Sequence, residues 1–222
     1  MDPASRCTTE QPSAPTRHFD RVLVIVFENQ PRWLAERYFR RVAKEGAVLE
    51  PFQGLFHPSF PNYLSMVGGK AFPVDPRDAD GLRKTPEEIQ FVGPTIADRL
   101  EAAGYTWKNY AERYSGEPLK SDDDSPHKFA RRHVPFLSYV EWKPEYATHV
   151  VAVDPESDSP EGNAFVRDVR SGLPTYSFYS PDLDNDGHDP AVWPPAGLRK
   201  AARWLDSSST DGCHLVPRGK GS

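Results

Sequence analysis

Apolar and polar positions along the chain predict strands that alternate with helices. Residues 21–27, RVLVIVF, form a nearly continuous apolar and β-branched run, which is typical of a central strand covered on both faces. Three further strands are predicted, at residues 48–56, 105–110 and 175–179. The first of these three is the weakest, because Pro51 and Gly54 interrupt its extended pattern.

Residues at helical spacing lie between these strands. Leu34, Tyr38 and Val42 share one side of a helix that is predicted over residues 33–44, with Arg and Lys on the other side. The remaining helices are predicted at residues 62–67, 96–103, 127–132 and 196–205. Helices that connect successive strands require the strands to be mostly parallel. The sequence therefore predicts an α/β fold with three α/β/α layers around a mostly parallel central sheet.

Length and composition are those of one loop-rich globular domain. The chain has 222 residues, of which 37% are hydrophobic and 27% charged, and 23 of them are prolines. This is enough for a single sizeable core. We expect a flexible lead-in at residues 1–17 and the folded domain at residues 18–206. Residues 207–222 end in LVPRGKGS, which resembles a protease-cleavage linker, so this tail takes no part in the fold prediction.

Charge and cysteine content exclude some classes of function. The net charge of -5 gives no basic surface for nucleic acid. Cys7 and Cys213 lie in opposite polar tails, so neither a metal cluster nor a disulfide framework is indicated. No apolar run approaches the roughly 18 residues of a membrane span, and the first residues lack an apolar signal-peptide core. These features leave the compartment undetermined.

Polar residues follow two of the predicted strands. Glu28 and Asn29 come directly after the strand at residues 21–27, at the carboxyl end where open α/β sheets place their ligands. A second polar cluster, SPDLDNDGHD, follows the strand at residues 175–179. For the Glu-Asn pair alone, a solvated turn would be the simpler interpretation.

Ser59 lies at the start of a predicted helix. It follows the weak strand at residues 48–56 and precedes Pro61, which suits the first turn of a helix. A hydroxyl at this point lies at the positive end of the helix dipole, which is a favourable position for phosphate. An isolated serine there is commonly only an N-cap, so a functional role depends on the residues around it.

Four short motifs extend this interpretation. They are FEN at 27–29, HPSFPNY at 57–63, WKNYAE at 107–112 and NDGHD at 185–189. With these motifs in this order, residues 19–205 resemble the phosphoesterase family of bacterial and fungal acid phosphatases and phospholipase C-like enzymes, in the alkaline phosphatase superfamily. The segment SFPNYLSMVGG is also similar to the nucleophile region of nucleotide pyrophosphatase/phosphodiesterases. The resemblance implies an alkaline phosphatase-like fold and a metal-dependent phosphoric ester hydrolase, in a family with many exported members.

The resemblance also implies roles for particular residues. Ser59 is implied as a nucleophile that forms a phosphoseryl intermediate, beside a divalent metal ion bound by Glu28, Asn29 and Ser59. Oxygen ligands suit a hard cation, and a bound metal lowers the pKa of a serine hydroxyl. His188 is implied to hold a phosphate oxygen or to protonate the leaving group. Substrate-binding positions are implied at Asn29, His57, Asn62, Tyr110, His133, Asn185 and Asp186.

The chain departs from the family pattern in two places. His133 lies in RRHVPF, where the family segment ends in His-Asn-Pro-Phe, so Val134 replaces an asparagine. Family members continue after the helix at residues 196–205 with an apolar strand ending in Asp-Glu, and these two carboxylates complete the metal site. Here the chain passes into SSSTDGCHLVPRGKGS, as in a C-terminally truncated member. We therefore expect this chain to hydrolyse phosphomonoesters poorly while its pocket geometry is kept.

Two other classes of function stay open at this point. The segment DLDNDG, with Asp182, Asp184, Asp186 and Gly187, matches the start of a calcium-binding loop. The twelfth position of that loop is Trp193 instead of the bidentate Glu, and a strand instead of a helix precedes it. The second alternative is a catalytically inactive fragment that binds phosphate compounds or partners.

Overall fold

The fold is described by a computed structural model for residues 19–28, 32–72, 85–121, 128–188, 199 and 201–202. The strands in this part of the chain are β1 (Val22–Ile25), β2 (Trp107–Glu112), β3 (Val150–Val153) and β4 (Tyr176–Ser180). They form one sheet in the order β1-β4-β2-β3, and every neighbouring pair is parallel. Tyr176 of β4 lies opposite Val22 on one side and Trp107 on the other, so the carboxyl ends of all four strands meet at one edge.

The helices agree with most of the predicted positions. They are α1 (Arg32–Tyr38), α2 (Arg40–Glu45), α3 (Phe60–Gly68), α4 (Ile96–Ala102), α5 (Tyr146–His149) and α6 (Ala164–Ser171), with 3₁₀ helices at Arg131–His133 and Pro135–Tyr139. The single helix predicted at residues 33–44 is divided at Phe39, whose ring packs 4.8 Å from the ring of Phe27. Thr95 caps α4, accepting a hydrogen bond from the Ala97 amide at 3.1 Å.

Apolar side chains cover both faces of the sheet. On one face, Trp107 and Phe178 pack against α3 and the 3₁₀ helices, with the Trp107 ring 4.5 Å from that of Phe136. On the other face, Tyr110 and Tyr179 pack against Phe165 of α6. The result is helix, sheet and helix in three layers, which confirms the predicted α/β architecture.

The strand predicted at residues 48–56 is wrong. These residues form an irregular loop in which Val48, Leu49, Phe52 and Leu55 are exposed. Pro51 has no N–H to offer a neighbouring strand, and the apolar side chains therefore have neither a ladder partner nor a face of the sheet to cover.

The central position predicted for the first strand is also wrong within the described sheet, where β1 lies at an edge. A continuous apolar run reports that both faces of a strand are covered, and it carries no information about how many strands lie beside it. The strands predicted at residues 105–110 and 175–179 exist with small shifts, whereas β3 and α6 were not predicted.

Several sequence predictions fall outside the described residues. The lead-in at residues 1–17 and the tail at 207–222 are not described, and of the predicted helix at 196–205 only Arg199, Ala201 and Ala202 are described, all helical. The short helix predicted at 127–132 corresponds in its described part to the 3₁₀ helix Arg131–His133. Among the helices that the structure describes, none is both long and apolar enough to cross a bilayer.

Candidate active site

Ser59 immediately precedes α3 and has helical backbone angles, φ -66° and ψ -42°. Its carbonyl oxygen accepts a hydrogen bond from the Asn62 amide at 2.9 Å, while its side chain makes no capping bond to the helix. The hydroxyl instead lies beside the carboxylate of Glu28 and helps to lower the pKa of that group. The N-cap interpretation of Ser59 therefore does not account for its side chain.

The loop that leads into Ser59 is fixed by the side chain of Asn62. Asn62 Oδ1 accepts hydrogen bonds from the Leu55 and Phe56 amides at 2.8 and 3.0 Å. Asn62 Nδ2 donates to the carbonyl oxygens of Phe56 and Pro58 at 2.8 and 3.1 Å. Because both amide hydrogens are used in this way, Asn62 holds the loop in place, although it also lines the pocket.

A buried histidine joins two carboxylates beside Ser59. His133 Nε2 lies 3.3 Å from Glu28 Oε1, and His133 Nδ1 lies 3.7 Å from Asp186 Oδ2. All three side chains are buried, and the His133 ring is stacked on Tyr63 with centroids 4.7 Å apart. His133 Nδ1 and Asp186 Oδ2 have no hydrogen-bond partner within the described structure. His133 therefore orients Glu28, which is a different role from the direct substrate contact predicted from the sequence.

Burial and hydrogen bonding set the charges of this cluster. Burial raises the pKa of Glu28, but the interactions of its carboxylate with His133 and Ser59 outweigh burial, so this pKa lies below its ordinary value. Burial lowers the pKa of His133. Burial raises the pKa of Asp186 to about 7, and the charge of Glu28 adds to the effect. At neutral pH Glu28 is therefore ionised and accepts a hydrogen bond from a neutral imidazole.

The turn at residues 182–186 brings Asp186 to this cluster. The Glu28 amide donates to the Asp186 carbonyl oxygen at 2.7 Å, and Asp186 Oδ1 accepts a hydrogen bond from the His188 amide at 2.8 Å. The side chain of Asn185, a predicted substrate ligand, donates instead to Glu112 Oε2 at 2.8 Å. His188 itself is exposed, and it lies close enough to Glu28 and His133 to contribute to the lowering of the pKa of both groups.

The three aspartates of the DLDNDG segment do not converge as a calcium loop requires. Asp182 accepts a hydrogen bond from Arg113 Nε at 2.6 Å, and Asp184 forms an ion pair with Lys128. Asp186 faces His133. These separate contacts do not support the calcium-binding alternative.

Tyr110 does not belong to the site, which corrects its predicted role in substrate binding. Its side chain is fully buried on the α6 face of the sheet, and its hydroxyl donates to Asp168 at 2.7 Å. Alternation along β2 directs residue 110 toward that face, away from Tyr63 and His133. Asn29 lies outside the described residues, and its predicted roles stay predictions.

A pocket of about 370 Å³ opens above Ser59 and Glu28. One part of its wall is polar and includes His57, which is exposed, and Asn62. The rest of its wall is mainly apolar, formed by Val26, Phe27, Phe52, Phe56, Pro58, Tyr63 and Met66, with Gly54. The pocket therefore offers a hydroxyl and a carboxylate next to apolar surface.

The oxygen atoms in this pocket suit a hard divalent cation, although they form only a partial ligand set. Glu28 supplies a carboxylate and Ser59 a hydroxyl, which are hard donors. Within the described residues, no group of three or more His, Cys, Asp and Glu side chains is arranged to hold a metal ion. The described residues therefore fit such an ion in donor chemistry and leave part of its coordination to other atoms.

Two residues that organise the site were not selected from the sequence. Glu112 lies at the carboxyl end of β2 within the WKNYAE motif, so its position after a strand was an available signal. Tyr63 stacks on His133, and no sequence pattern indicates such a contact between side chains 70 positions apart.

Comparison of the chain with known proteins identifies its family. Residues 25–207 match the model of the Phosphoesterase family. The chain is 27% identical over 183 residues to a probable acid phosphatase of Kluyveromyces lactis, an alignment that covers 78% of this chain and 40% of the relative. It is 27% identical over 203 residues to a phosphatidylinositol-3-phosphatase of Mycobacterium tuberculosis, covering 86% and 61%. It is 29% identical over 195 residues to a phosphate-repressible acid phosphatase of Penicillium chrysogenum, covering 85% and 42%.

The chain spans between 40% and 61% of the length of these relatives. The family match covers well over half of the chain and includes the segments that carry Glu28, Ser59, His133 and Asp186. The chain therefore belongs to the phosphoesterase family.

Proposed function

We propose that this chain carries the catalytic site of a phosphoric ester hydrolase in which Ser59 is the nucleophile. The observation that carries this proposal is the Ser59 hydroxyl, which immediately precedes α3, makes no capping bond and lies beside the Glu28 carboxylate in one pocket. The start of α3 favours negative charge on a phosphoryl group. A hydroxyl that served only as a helix cap would be directed back to the helix amides.

In the proposed reaction, Ser59 Oγ attacks the phosphorus atom and the bond from phosphorus to the ester oxygen breaks. The Ser59 proton passes toward the Glu28 carboxylate, and the leaving alcohol takes a proton from solvent or from His188. Water then attacks the phosphorus atom of the phosphoseryl group, the bond from phosphorus to Ser59 Oγ breaks, and Oγ takes the proton back from Glu28 as phosphate is released. Glu28 is a weak base because its pKa is low. A divalent cation, for which Glu28, Ser59 and Asn29 are the proposed ligands, would further lower the pKa of the Ser59 hydroxyl and would neutralise phosphoryl charge.

His133 and Asp186 support this chemistry without contacting the reacting atoms. The imidazole of His133 holds the Glu28 carboxylate, and Asp186 holds the Glu28 backbone through its carbonyl oxygen. Because the carboxylate that accepts the Ser59 proton is held in place, less entropy is lost when Ser59 and Glu28 are oriented for reaction.

The printed names of the relatives favour a phosphomonoester as substrate. Two relatives are named acid phosphatases and one is named a phosphatidylinositol-3-phosphatase. Each of these names describes the removal of a phosphate group. We propose monoester hydrolysis for this chain, in preference to the phospholipase C-like activity that the sequence resemblance also covers.

The test combines turnover of 4-nitrophenyl phosphate with trapping of the phosphorylated enzyme. The chain is assayed with Mg²⁺, Mn²⁺, Zn²⁺ and Ca²⁺, and acid-quenched samples are digested and analysed by mass spectrometry. We expect one phosphoryl group on the peptide that contains Ser59, and its loss in Ser59→Ala.

Ser65→Ala is the matched control, because Ser65 lies on the same helix and its hydroxyl donates to the Pro61 carbonyl oxygen at 2.7 Å. This variant should keep the phosphoryl group on Ser59. Turnover that persists in Ser59→Ala, or a phosphoryl group on another residue, would show that Ser59 is not the nucleophile.

A further inference from the structure

Glu112 is a buried carboxylate that ends β2 underneath the turn at residues 182–186. Only 1% of its surface is exposed. Its Oε2 accepts hydrogen bonds from the Asp182 amide at 2.9 Å and from Asn185 Nδ2 at 2.8 Å. Its Oε1 accepts one from the Tyr179 hydroxyl at 2.8 Å. One side chain therefore ties β2, the end of β4 and the turn together.

A carboxylate in this place is costly, because it lies close to a second buried carboxylate. Asp182 is also 1% exposed, and burial together with the charge of Asp182 raises the pKa of Glu112 to about 7. Arg113 offsets part of the cost through its contact with Asp182. Buried charge is retained in a stable fold when its hydrogen bonds fix a geometry that apolar packing would not specify.

The turn that Glu112 holds leads directly to the candidate site. Its last residue, Asp186, accepts the Glu28 amide at its carbonyl oxygen and the His188 amide at Oδ1, and its Oδ2 faces His133. A shift of the turn would therefore move the backbone position of Glu28 and the surroundings of His133 at the same time.

We propose that Glu112 is a positioning residue of the phosphoester site. It fixes the turn at residues 182–186 by accepting two hydrogen bonds from it, and Asp186 transmits that position to Glu28, His133 and His188. The predicted effect of Glu112 on phosphate binding rests on the proposed function, whereas its predicted effect on the position of Glu28 does not.

The direct test is hydrogen exchange of the Glu28 amide, measured by NMR at residue level. The reference is the Val22 amide, which donates to the Thr175 carbonyl oxygen at 2.9 Å at the opposite end of β1. In Glu112→Leu, exchange of the Glu28 amide should rise at least about tenfold relative to Val22, because the turn loses two hydrogen bonds to a carboxylate.

Glu112→Gln should restore most of the protection in this assay. Its carbonyl oxygen can accept the bonds from Asp182 and Asn185, and its amide group can donate to the Tyr179 oxygen. If Glu112→Leu does not fold, Asn185→Ala removes one of the bonds and keeps the carboxylate, and it should raise Glu28 exchange several-fold.

Asp168→Leu is the matched control. Asp168 is a buried carboxylate on the same face of the sheet that also accepts a tyrosine hydroxyl, from Tyr110 at 2.7 Å, and it pairs with Lys108 at 2.6 Å. Its loss should change the exchange of Glu28 and Val22 equally. The proposal is overturned if Glu112→Leu leaves the Glu28 to Val22 ratio unchanged, if Asp168→Leu raises it to the same extent, or if Glu112→Gln restores nothing.

Binding of inorganic phosphate, measured by calorimetry with Mn²⁺ present, separates this inference from the proposed function. We expect Glu112→Leu to weaken binding about tenfold or more and Asp168→Leu to leave it within about twofold. If the unsubstituted chain binds no phosphate, the proposed function loses its support, and the exchange ratio still decides whether Glu112 positions Glu28.

Discussion

Asn62 and Asn163 offer a matched pair of substitutions that isolates the role of the loop before Ser59. The Asn62 side chain makes two hydrogen bonds as acceptor and two as donor. Asn163, the N-cap of α6, makes the same number: Oδ1 accepts the Phe165 and Val166 amides at 2.9 and 3.2 Å, and Nδ2 donates to two carbonyl oxygens at 2.9 and 3.0 Å. Both side chains therefore fix a loop beside a helix start, and only Asn62 lies at the candidate site.

The two alanine variants should lose similar stability. Four net hydrogen bonds at about 0.5–1.5 kcal/mol each set an upper range of about 2–6 kcal/mol. Water replaces the exposed bonds, such as that of the Leu55 amide, so we expect a loss of roughly 2–3 kcal/mol for each variant. Urea denaturation with equal m-values would measure both losses.

The variants should differ in the chemistry of Ser59. In Asn62→Ala the segment from Leu55 to Pro58 loses its anchors, so phosphorylation of Ser59 and phosphate binding should fall at least about tenfold at a temperature where the protein stays folded. Asn163→Ala should keep both within about twofold. Equal losses in the two variants would mean that general destabilisation, and not the position of the loop, lowers phosphorylation of Ser59 and phosphate binding. Full activity in Asn62→Ala would show that Asn62 does not position Ser59.

Three further predictions follow from burial and charge. Because the folded chain binds the proton of Glu112 more tightly than the unfolded chain, with a pKa of about 7 against an ordinary 4.5, that contribution to stability is full below about pH 4.5 and is lost as the pH rises through about 7. Urea unfolding at pH 5 and pH 8 should show a loss of roughly 1–3 kcal/mol from Glu112 that Glu112→Gln removes, while Asp186, whose pKa is also about 7, keeps its own contribution in that variant. A pH dependence that Glu112→Gln leaves unchanged would assign the whole effect to another group. Phe178→Ala, at a fully buried position between Tyr63 and Phe136, should cost about 3–5 kcal/mol in the same assay, whereas a loss below about 1 kcal/mol would contradict the described core. Removal of divalent cations with EDTA should abolish phosphate release and excess Mn²⁺ or Mg²⁺ should restore it, while turnover insensitive to EDTA would contradict the metal-assisted mechanism.

The convergence of Glu28 and Ser59 could be predicted from the sequence, even though the strand predicted before Ser59 does not exist. Ser59 was expected at the end of a strand, and residues 48–56 are a loop. The position of Ser59 is set instead by α3, whose residues Phe60, Tyr63 and Leu64 are buried against the sheet. Because these buried residues fix the start of α3 against the rest of the fold, they also fix the position of Ser59. No strand before Ser59 is needed for this.

The lateral order of the strands and the contacts of His133 could not be predicted in the same way. An apolar run describes the faces of a strand, so residues 21–27 gave no sign that β1 lies at the edge of the described sheet. The strand β3 is only four residues long and follows a short helix, which leaves no periodicity to detect. His133 meets Glu28 across 105 positions of sequence, in a contact that depends on tertiary packing such as its stack on Tyr63.

Polar contacts link the three chain segments of the site in series. The Ser59 hydroxyl lies beside the Glu28 carboxylate, the Glu28 amide is hydrogen-bonded to the 182–186 turn, and that turn is hydrogen-bonded to Glu112. Because each bond has one donor and one acceptor in different segments, moving one segment leaves a buried polar group in another without a partner. The segments should therefore shift together, and a local change at the turn should change the position of the Ser59 hydroxyl. Under the proposed function, this coupling would let Glu112, which lies away from the pocket, influence the position of Ser59 relative to a bound phosphate.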